Sequence, residues 1–291
     1  MKQKVALVLS SGGSKGLAHI GVINELEKHN FEIASISGSS IGAVIGGLYA
    51  MGKLPEYTKW VKTLKKKNVW NLLDFTLSSN GLIKGEKVFI KMKTFIPDML
   101  IEDMNIPFSA IATDIINEKE VIFSTGSFYE AIRASIAIPS VITPVKYKNT
   151  LLVDGGVLNP LPIEYVVRKN NDILIVVNLY GEKVGKIKTP KLIDGKNQGN
   201  NTIDGLVNNI SKLISSGDKK SLGYFSLLNL ATHAMIHKLT KENIDKHQPD
   251  IVINLPQDSA GTFDFYKGDE LIKLGENAAK EAIKEYNELL K

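Results

Sequence analysis

One serine stands in a pattern that is typical of serine nucleophiles. Gly38-Ser39-Ser40-Ile41-Gly42 fits G-x-S-x-G and lies between a β-branched run, Ile33–Ile36, and an apolar helical run, Ile41–Met51. In such a strand–turn–helix the central serine sits on a strained turn and projects beyond the sheet, whereas Ser39 points away. Glycine is needed on both sides because a side chain there would collide with neighbouring backbone. The positive end of the helix would face negative charge developing at the serine. We therefore predict that Ser40 is a nucleophile.

A glycine-rich loop, Ser11-Gly12-Gly13-Ser14-Lys15-Gly16, follows the first apolar run, Lys4–Leu9. Adjacent glycines at the start of a helix leave backbone N–H groups free for an anion or an oxyanion. A dinucleotide fingerprint is the alternative, and with it a nucleotide-binding oxidoreductase. Against it, Ser11 replaces the first glycine of G-x-G-x-x-G, and no acidic residue ends the second strand to bind a ribose. The loop therefore predicts an oxyanion hole beside Ser40, and we expect Lys15 to be a solvated lysine at its lip.

A third motif, Asp154-Gly155-Gly156, follows the short apolar run Leu151–Val153. A carboxylate at the end of a strand, followed by glycines that free the backbone, is well placed to act as a base. An Asp-Gly pair is also an ordinary turn, and alone the motif would favour that interpretation. The combination with the serine motif and the glycine loop makes Asp154 a candidate base.

These three motifs match, in order and approximate spacing, those of the patatin-like phospholipase family. Bacterial members are also similar at Gly16–Val22, Ala112–Asp114, Ala134–Pro139 and Leu152–Gly156. The resemblance covers about residues 4 to 180 and weakens toward the C-terminal strand and helix. Many relatives have a third glycine at the position of Ser11. Its absence here would alter the first turn of the loop and leave Gly12 and Gly13 in place.

The resemblance implies a three-layer α/β/α fold with a mostly parallel central sheet and a Ser40–Asp154 dyad without a catalytic histidine. Ser40 would attack the ester carbonyl while Asp154 takes its proton, giving an acyl-enzyme. The amides of Gly12 and Gly13, with Ser14 as a further candidate, would hold the oxyanion. The implied function is hydrolysis of lipid acyl esters, by a phospholipase A, a lysophospholipase or a general carboxylesterase. A non-catalytic binding or regulatory member of the family remains the alternative.

The five histidines leave two alternatives open: His19, His29, His233, His237 and His247. Those after Asp154 allow a Ser–Asp–His triad, but the serine comes too early in the chain for that fold's usual layout. His233 and His237 share a helix face and could bind a metal, yet no third ligand lies near them in sequence. We expect neither a metal nor a cofactor.

Composition narrows the class of protein. The chain has 291 residues, of which 43% are hydrophobic and 23% charged, as in globular proteins. It has no cysteine, which excludes disulfides and thiolate chemistry. The net charge is +5, but the lysines are scattered with few aromatics between them, so we expect no nucleic-acid partner. The uncharged stretch from residue 33 to 52 is rich in glycine and serine, which argues against a membrane span. We expect a cytoplasmic protein; peripheral contact with membranes and the oligomeric state stay open.

Alternating strand and helix patterns must position the three motifs in one sheet. Beyond the runs named above, we predict helices at Leu17–His29, Phe128–Ala137, Ile203–Ile214, Leu222–Leu239 and Gly268–Leu290, and strands at Pro107–Ile115, Glu120–Phe123, Ile173–Leu179 and Ile251–Leu255. Thr58–Phe95 is predicted to be helical with a break at Ser78–Gly81. We expect one domain, with residues 4–180 as the motif-bearing core and 250–291 completing it. Residues 181–249 would be an insertion of a mobile loop (181–201) and helices, with a lid as one interpretation.

Overall fold

The computed structural model describes residues 2–78, 81–169, 171–183 and 224–291, and the statements below concern these ranges. The strands are Gln3–Leu9 (β1), Phe31–Ser39 (β2), Phe75–Ser78 (β3), Gly81–Ile83 (β4), Phe108–Asp114 (β5), Lys119–Phe123 (β6), Val145–Tyr147 (β7), Thr150–Asp154 (β8), Ile173–Gly181 (β9) and Ile251–Pro256 (β10). The α-helices are Ala18–Lys28 (α1), Ile41–Ala50 (α2), Leu54–Val61 (α3), Lys66–Leu72 (α4), Glu86–Lys93 (α5), Phe128–Ser135 (α6), Tyr224–His247 (α7) and Gly268–Leu289 (α8).

The central sheet has the order β10-β9-β1-β2-β5-β8-β7, and β6 pairs with β5 outside this path. The strands from β10 to β5 are parallel, whereas β6, β7 and β8 are antiparallel to their neighbours. The predicted α/β fold with a mostly parallel sheet is therefore confirmed, and the antiparallel strands form one end of it.

Strand β1 lies in the middle of the sheet and has core on both faces. Val5, Leu7 and Leu9 pack in a large apolar cluster with residues of α1, α2 and α8. The alternate residues Ala6 and Val8 pack in a second cluster on the other face, against which Ile244 of α7 lies. Because successive side chains of a strand point to opposite faces, helices must cover both sides of this unbroken apolar strand.

Helices α1 and α8 cross at glycines. A Cβ atom on Gly21 would lie 1.9 Å from the carbonyl oxygen of Ile272, and one on Gly275 would lie 2.0 Å from that of Ala18. Only glycine allows two backbones to approach so closely. The late helix α8 is thus packed directly against the first helix of the chain.

The predicted helical stretch Thr58–Phe95 is wrong in part. It contains the second half of α3, the short helices α4 and α5, and an antiparallel hairpin of β3 and β4. Gly85 has a φ of +75°, and the Asp74 carboxylate accepts the amides of Gly85 and Glu86 at the start of α5. The left-handed glycine and the capping aspartate end the hairpin and begin α5. The helical periodicity of this lysine-rich stretch gives no sign of either residue's role. Strand β7 was not predicted.

Part of the predicted insertion lies outside the described residues: the loop beyond residue 183 and the helix Ile203–Ile214. Helix α7 begins at Tyr224 and runs to His247, past the predicted end at Leu239. Leu230 on this helix is exposed. The organisation as a single domain with an insertion stays a prediction. Within the described ranges, no helix is both long and apolar enough to cross a membrane.

Candidate active site

Strands β2 and β8 meet end to end along one edge of β5. Ala110 of β5 pairs with both β2 and β6, so these two strands lie on opposite edges. Asp114 pairs with both β6 and β8, which places β8 on the same edge as β2. On that edge Ser39 lies opposite Ile111, and Asp154 lies opposite the next residue, Ala112. The antiparallel direction of β8 therefore turns its carboxyl end toward the carboxyl end of β2.

Ser40 occupies the tight turn between β2 and α2. Its backbone has φ 55° and ψ −124°, a conformation that residues with a side chain rarely adopt. A Cβ on Gly42 would lie 2.2 Å from the carbonyl oxygen of Leu9, and one on Gly38 would lie 2.5 Å from the backbone of Gly42. The glycines are thus required by close backbone contacts, as the sequence predicts.

Asp154 contacts Ser40 directly. The Ser40 hydroxyl donates to Oδ2 at 2.5 Å, and the Gly156 amide donates to Oδ1 at 2.7 Å. Burial raises the pKa of Asp154 to about 6, although the two hydrogen bonds act in the opposite direction. A Cβ on Gly155 would lie 2.2 Å from the carbonyl oxygen of Ile111, so this turn also needs glycine. The serine of one motif is thus hydrogen-bonded to the carboxylate of another.

The glycine loop lies against the start of α2. A Cβ on Gly16 would lie 2.3 Å from the Ile41 side chain, and Gly13 has a φ of +60°. Within the described part of the chain, the amides of Gly12 and Gly13 donate to no protein acceptor. The Ser14 amide, in contrast, donates to the carbonyl oxygen of Thr262 at 2.9 Å. The amides of Gly12 and Gly13 are therefore without a protein acceptor in the described residues, whereas the Ser14 amide is engaged.

An apolar cavity of about 140 Å³ opens beside Ser40, and Ser40 and Gly13 form part of its wall. Its other walls include Val44, Trp60, Leu72, Phe89, Met92, Ile138, Ile142 and Phe265. The sequence did not predict this cavity, because its walls come from separate elements whose apolar residues resemble ordinary core.

The family model described as patatin-like phospholipase matches residues 7–167, which include all three motifs. The chain belongs to the patatin-like phospholipase family. This assignment agrees with the resemblance noted from the motifs alone.

Several known proteins are similar in sequence to this chain. An uncharacterized NTE family protein of Mycobacterium tuberculosis is 43% identical over 182 residues, which are 62% of this chain and 51% of the relative. Lysophospholipase NTE1 of Meyerozyma guilliermondii is 30% identical over 288 residues, covering 94% of this chain and 19% of the yeast protein. The chain thus spans about half the length of the mycobacterial relative and about a fifth of the yeast one. VipD from Legionella pneumophila, a solved structure, aligns over 98% of this chain and 67% of its own with a TM-score of 0.48 and 13% identity.

Lys15 of this patatin-like chain is not the solvated residue that the sequence suggested. Its side chain is only 3% exposed, and Nζ donates to the carbonyl oxygens of Leu179 at 2.9 Å and Gln257 at 3.2 Å. Nζ also lies 4.4 Å from the centre of the Tyr180 ring. Burial lowers its pKa to about 8. Lys15 therefore ties the glycine loop to the ends of β9 and β10.

Among the described residues, no histidine forms a hydrogen bond with Ser40 or Asp154. His19 is fully buried, and its Nε2 contacts the carbonyl oxygen of Ser10 at 3.0 Å. Burial lowers the pKa of His19 and of His233 to about 4, and His233 packs against the Tyr180 ring. In the residues that the structure describes, no group of three or more His, Cys, Asp or Glu side chains could hold a metal ion.

Proposed function

We propose that this protein is a serine hydrolase that cleaves acyl ester bonds of lipids through an acyl-enzyme on Ser40. One observation carries the proposal: the Ser40 hydroxyl donates to a buried carboxylate at 2.5 Å and also lines an apolar cavity. A nucleophile in hydrogen-bond contact with a base is the arrangement that covalent catalysis requires. The family and the name of the yeast lysophospholipase support a lipid ester as substrate.

In the proposed first step, Ser40 Oγ attacks the ester carbonyl carbon and its proton passes to Asp154 Oδ2. The carbonyl oxygen takes up the electron pair of the broken π bond and becomes an oxyanion beside the amides of Gly12 and Gly13. When the tetrahedral intermediate collapses, the alkoxide leaves with the proton held by Asp154. Water then attacks the acyl-enzyme by the same sequence, which releases the fatty acid and restores Ser40.

A carboxylate is a weaker base than imidazole by about 2–3 pKa units in model compounds. Burial narrows this gap here, since it raises the pKa of Asp154 to about 6. The short hydrogen bond keeps the proton's path fixed, and two backbone donors at the oxyanion position would contribute further stabilisation of the transition state. No histidine is needed in this scheme.

The apolar cavity supports an ester with a fatty acyl chain as the substrate. Burial of each methylene group in such a cavity contributes about 0.8 kcal/mol, so a fatty acyl chain is a suitable occupant. This arrangement is compatible with a phospholipase A, a lysophospholipase or a carboxylesterase. Because long-chain lipids gather in membranes and micelles, the proposal includes peripheral contact with a lipid surface.

A fluorophosphonate probe tests the nucleophile, because it reacts readily only with an activated serine. We expect the native protein to be labelled at Ser40 and to hydrolyse p-nitrophenyl acyl esters, and we expect Ser40→Ala to lose both properties. Profiling lipids with the native protein against Ser40→Ala would then define the head group. Labelling that continues in Ser40→Ala would refute the assignment. A native protein that is folded but neither labelled nor active would favour the non-catalytic alternative.

A further inference from the structure

The hydroxyl of Ser135, at the end of α6, holds the backbone of Ser40. Its Oγ accepts the Ser40 amide at 2.9 Å and donates to the carbonyl oxygen of Ile111 at 2.6 Å. The Ser135 side chain is fully buried. One hydroxyl therefore connects the serine turn to strand β5, on the edge where β2 ends.

The same short segment also holds Asp154. The amide of Asp154 donates to the carbonyl oxygen of Ala137 at 2.9 Å. Residues 135–137 thus bind the backbones of both members of the Ser40–Asp154 pair, one through a side chain and one through the main chain. The loss of either contact would free one member of the pair to move relative to the other.

Ser40 needs such support because its conformation is strained. A residue with φ 55° and ψ −124° keeps that geometry only when its surroundings fix it. The Ser40 amide precedes α2, so no intrahelical carbonyl accepts it. Without Ser135 this amide and the Ile111 carbonyl would both lose a partner in a buried place, and the turn would relax toward one that satisfies them.

We propose that Ser135 is a positioning residue, whose hydroxyl fixes the Ser40 amide against Ile111 so that Ser40 Oγ stays in hydrogen-bond contact with Asp154. The inference rests on the proposed function, since it assigns a role in the same site. Ser135 itself touches neither the cavity nor the reacting atoms; it acts through Ser40.

The test compares Ser135→Ala with Ser39→Ala. Ser39 is matched because it is also a fully buried serine, adjacent to Ser40, whose hydroxyl has no partner among the described residues. We expect Ser135→Ala to lower kcat and the rate of fluorophosphonate labelling by about 10- to 100-fold, the effect of a misplacement near 1 Å. KM should stay within about twofold, because the apolar side chains that line the cavity are unchanged. Ser39→Ala should keep both rates within about threefold.

Two further readouts separate positioning from stability. The hydrogen bond from Ser40 lowers the pKa of Asp154, so its loss should move the acid limb of the kcat/KM profile to higher pH. Ser135→Thr keeps the hydroxyl and should recover most of the labelling rate. If Ser135→Ala does not fold, Ser135→Cys takes its place in the comparison, because the thiol fills the site with a slightly larger atom and weakens both hydrogen bonds.

Labelling of folded Ser135→Ala at the native rate would overturn the inference while leaving the proposed function intact. An equal loss of kcat and labelling rate in Ser39→Ala would also overturn the inference, because any substitution near the turn would then lower the activity. Turnover that survives in Ser40→Ala would instead refute the proposed function itself.

Discussion

The two sides of the candidate site are built in different ways. The polar side consists of Ser40, Asp154 and the amides of Gly12 and Gly13, held by close backbone contacts and by hydrogen bonds as short as 2.5 Å. The apolar side is a cavity whose walls come from many side chains on separate elements. A hydrogen bond depends steeply on position, whereas apolar contact is summed over many atoms. We therefore expect single changes on the polar side to abolish turnover and single changes in the cavity to alter preference.

The largest effect should come from Asp154→Asn. The amide side chain is nearly isosteric and can still accept the Gly156 amide, but it cannot take the proton of Ser40. We expect kcat to fall by about 10⁴-fold, the upper end of the range for a general base. Steady-state hydrolysis of a p-nitrophenyl ester and a circular dichroism spectrum would establish loss of activity in a folded protein.

The control for that experiment is a set of histidine variants. His233→Gln, His237→Gln and His247→Gln should each retain activity within about tenfold, a loss too small for a general base. His19 should tolerate Gln on the same grounds, although its contact with the Ser10 carbonyl supports the glycine loop. A folded histidine variant as inactive as Ser40→Ala would revive the Ser–Asp–His triad.

Gly13→Ala should have the next largest effect. Gly13 has a φ of +60°, and a Cβ there would lie 2.9 Å from the carbonyl oxygen of Thr262. The loop must shift to admit the methyl group, which moves an amide from the oxyanion position. Losing one such donor costs about 10²–10³ in kcat. Gly126→Ala is the matched control, since Gly126 has a φ of +88° but nothing near its Cβ position. Near-native kcat in Gly13→Ala would argue against the proposed oxyanion hole.

A change in the cavity should act on preference and leave the chemistry intact. Val44 is buried in α2 and lines the cavity near Ser40, so Val44→Phe would fill part of it. We expect the ratio of kcat/KM for a long-chain over a short-chain p-nitrophenyl ester to fall about tenfold or more. Hydrolysis of the acetyl ester serves as the internal control and should stay within about threefold. Equal losses for both esters would mean that the cavity does not hold the acyl chain.

The smallest effect concerns pH. Because burial raises the pKa of Asp154 to about 6, kcat/KM should be halved near that pH and fall about tenfold per unit below it.

The raised pKa of Asp154 has the opposite effect on stability, which should decrease as the pH rises. An aspartate whose pKa rises from 3.8 to about 6 on folding contributes stability below the lower value and loses it as the pH rises through the higher one. At pH 8, Asp154→Asn should therefore have a free energy of unfolding about 3 kcal/mol larger than that of the native protein, and should unfold at a higher temperature. This difference in stability should vanish near pH 4. An advantage that does not depend on pH would contradict the raised pKa.

The polar side was predictable from sequence because each of its parts is local. A glycine pattern that forces a turn and an aspartate at a strand end are visible within a few residues. The pairing of Ser40 with Asp154 followed from the family resemblance, and its physical basis, two strands meeting end to end on β5, is a long-range property. The burial of Lys15 and the engagement of the Ser14 amide also depend on distant segments, around Gln257 and Thr262. Such contacts leave no periodic signal, and neither do the walls of the cavity.

The crossing of α1 and α8 has a consequence for the order of events during synthesis. The sheet pairs β1 with the distant strand β9, and α8 can cover α1 only after the long segment between these two helices has been made. Contacts of such wide sequence separation form slowly, and a growing chain cannot form them at all until both partners have left the ribosome. Thr262, which accepts the Ser14 amide beside the glycine loop, belongs to the same late segment. We therefore expect nascent chains that end before α8 to expose the apolar face of α1 to chaperones and to lack the esterase activity proposed above.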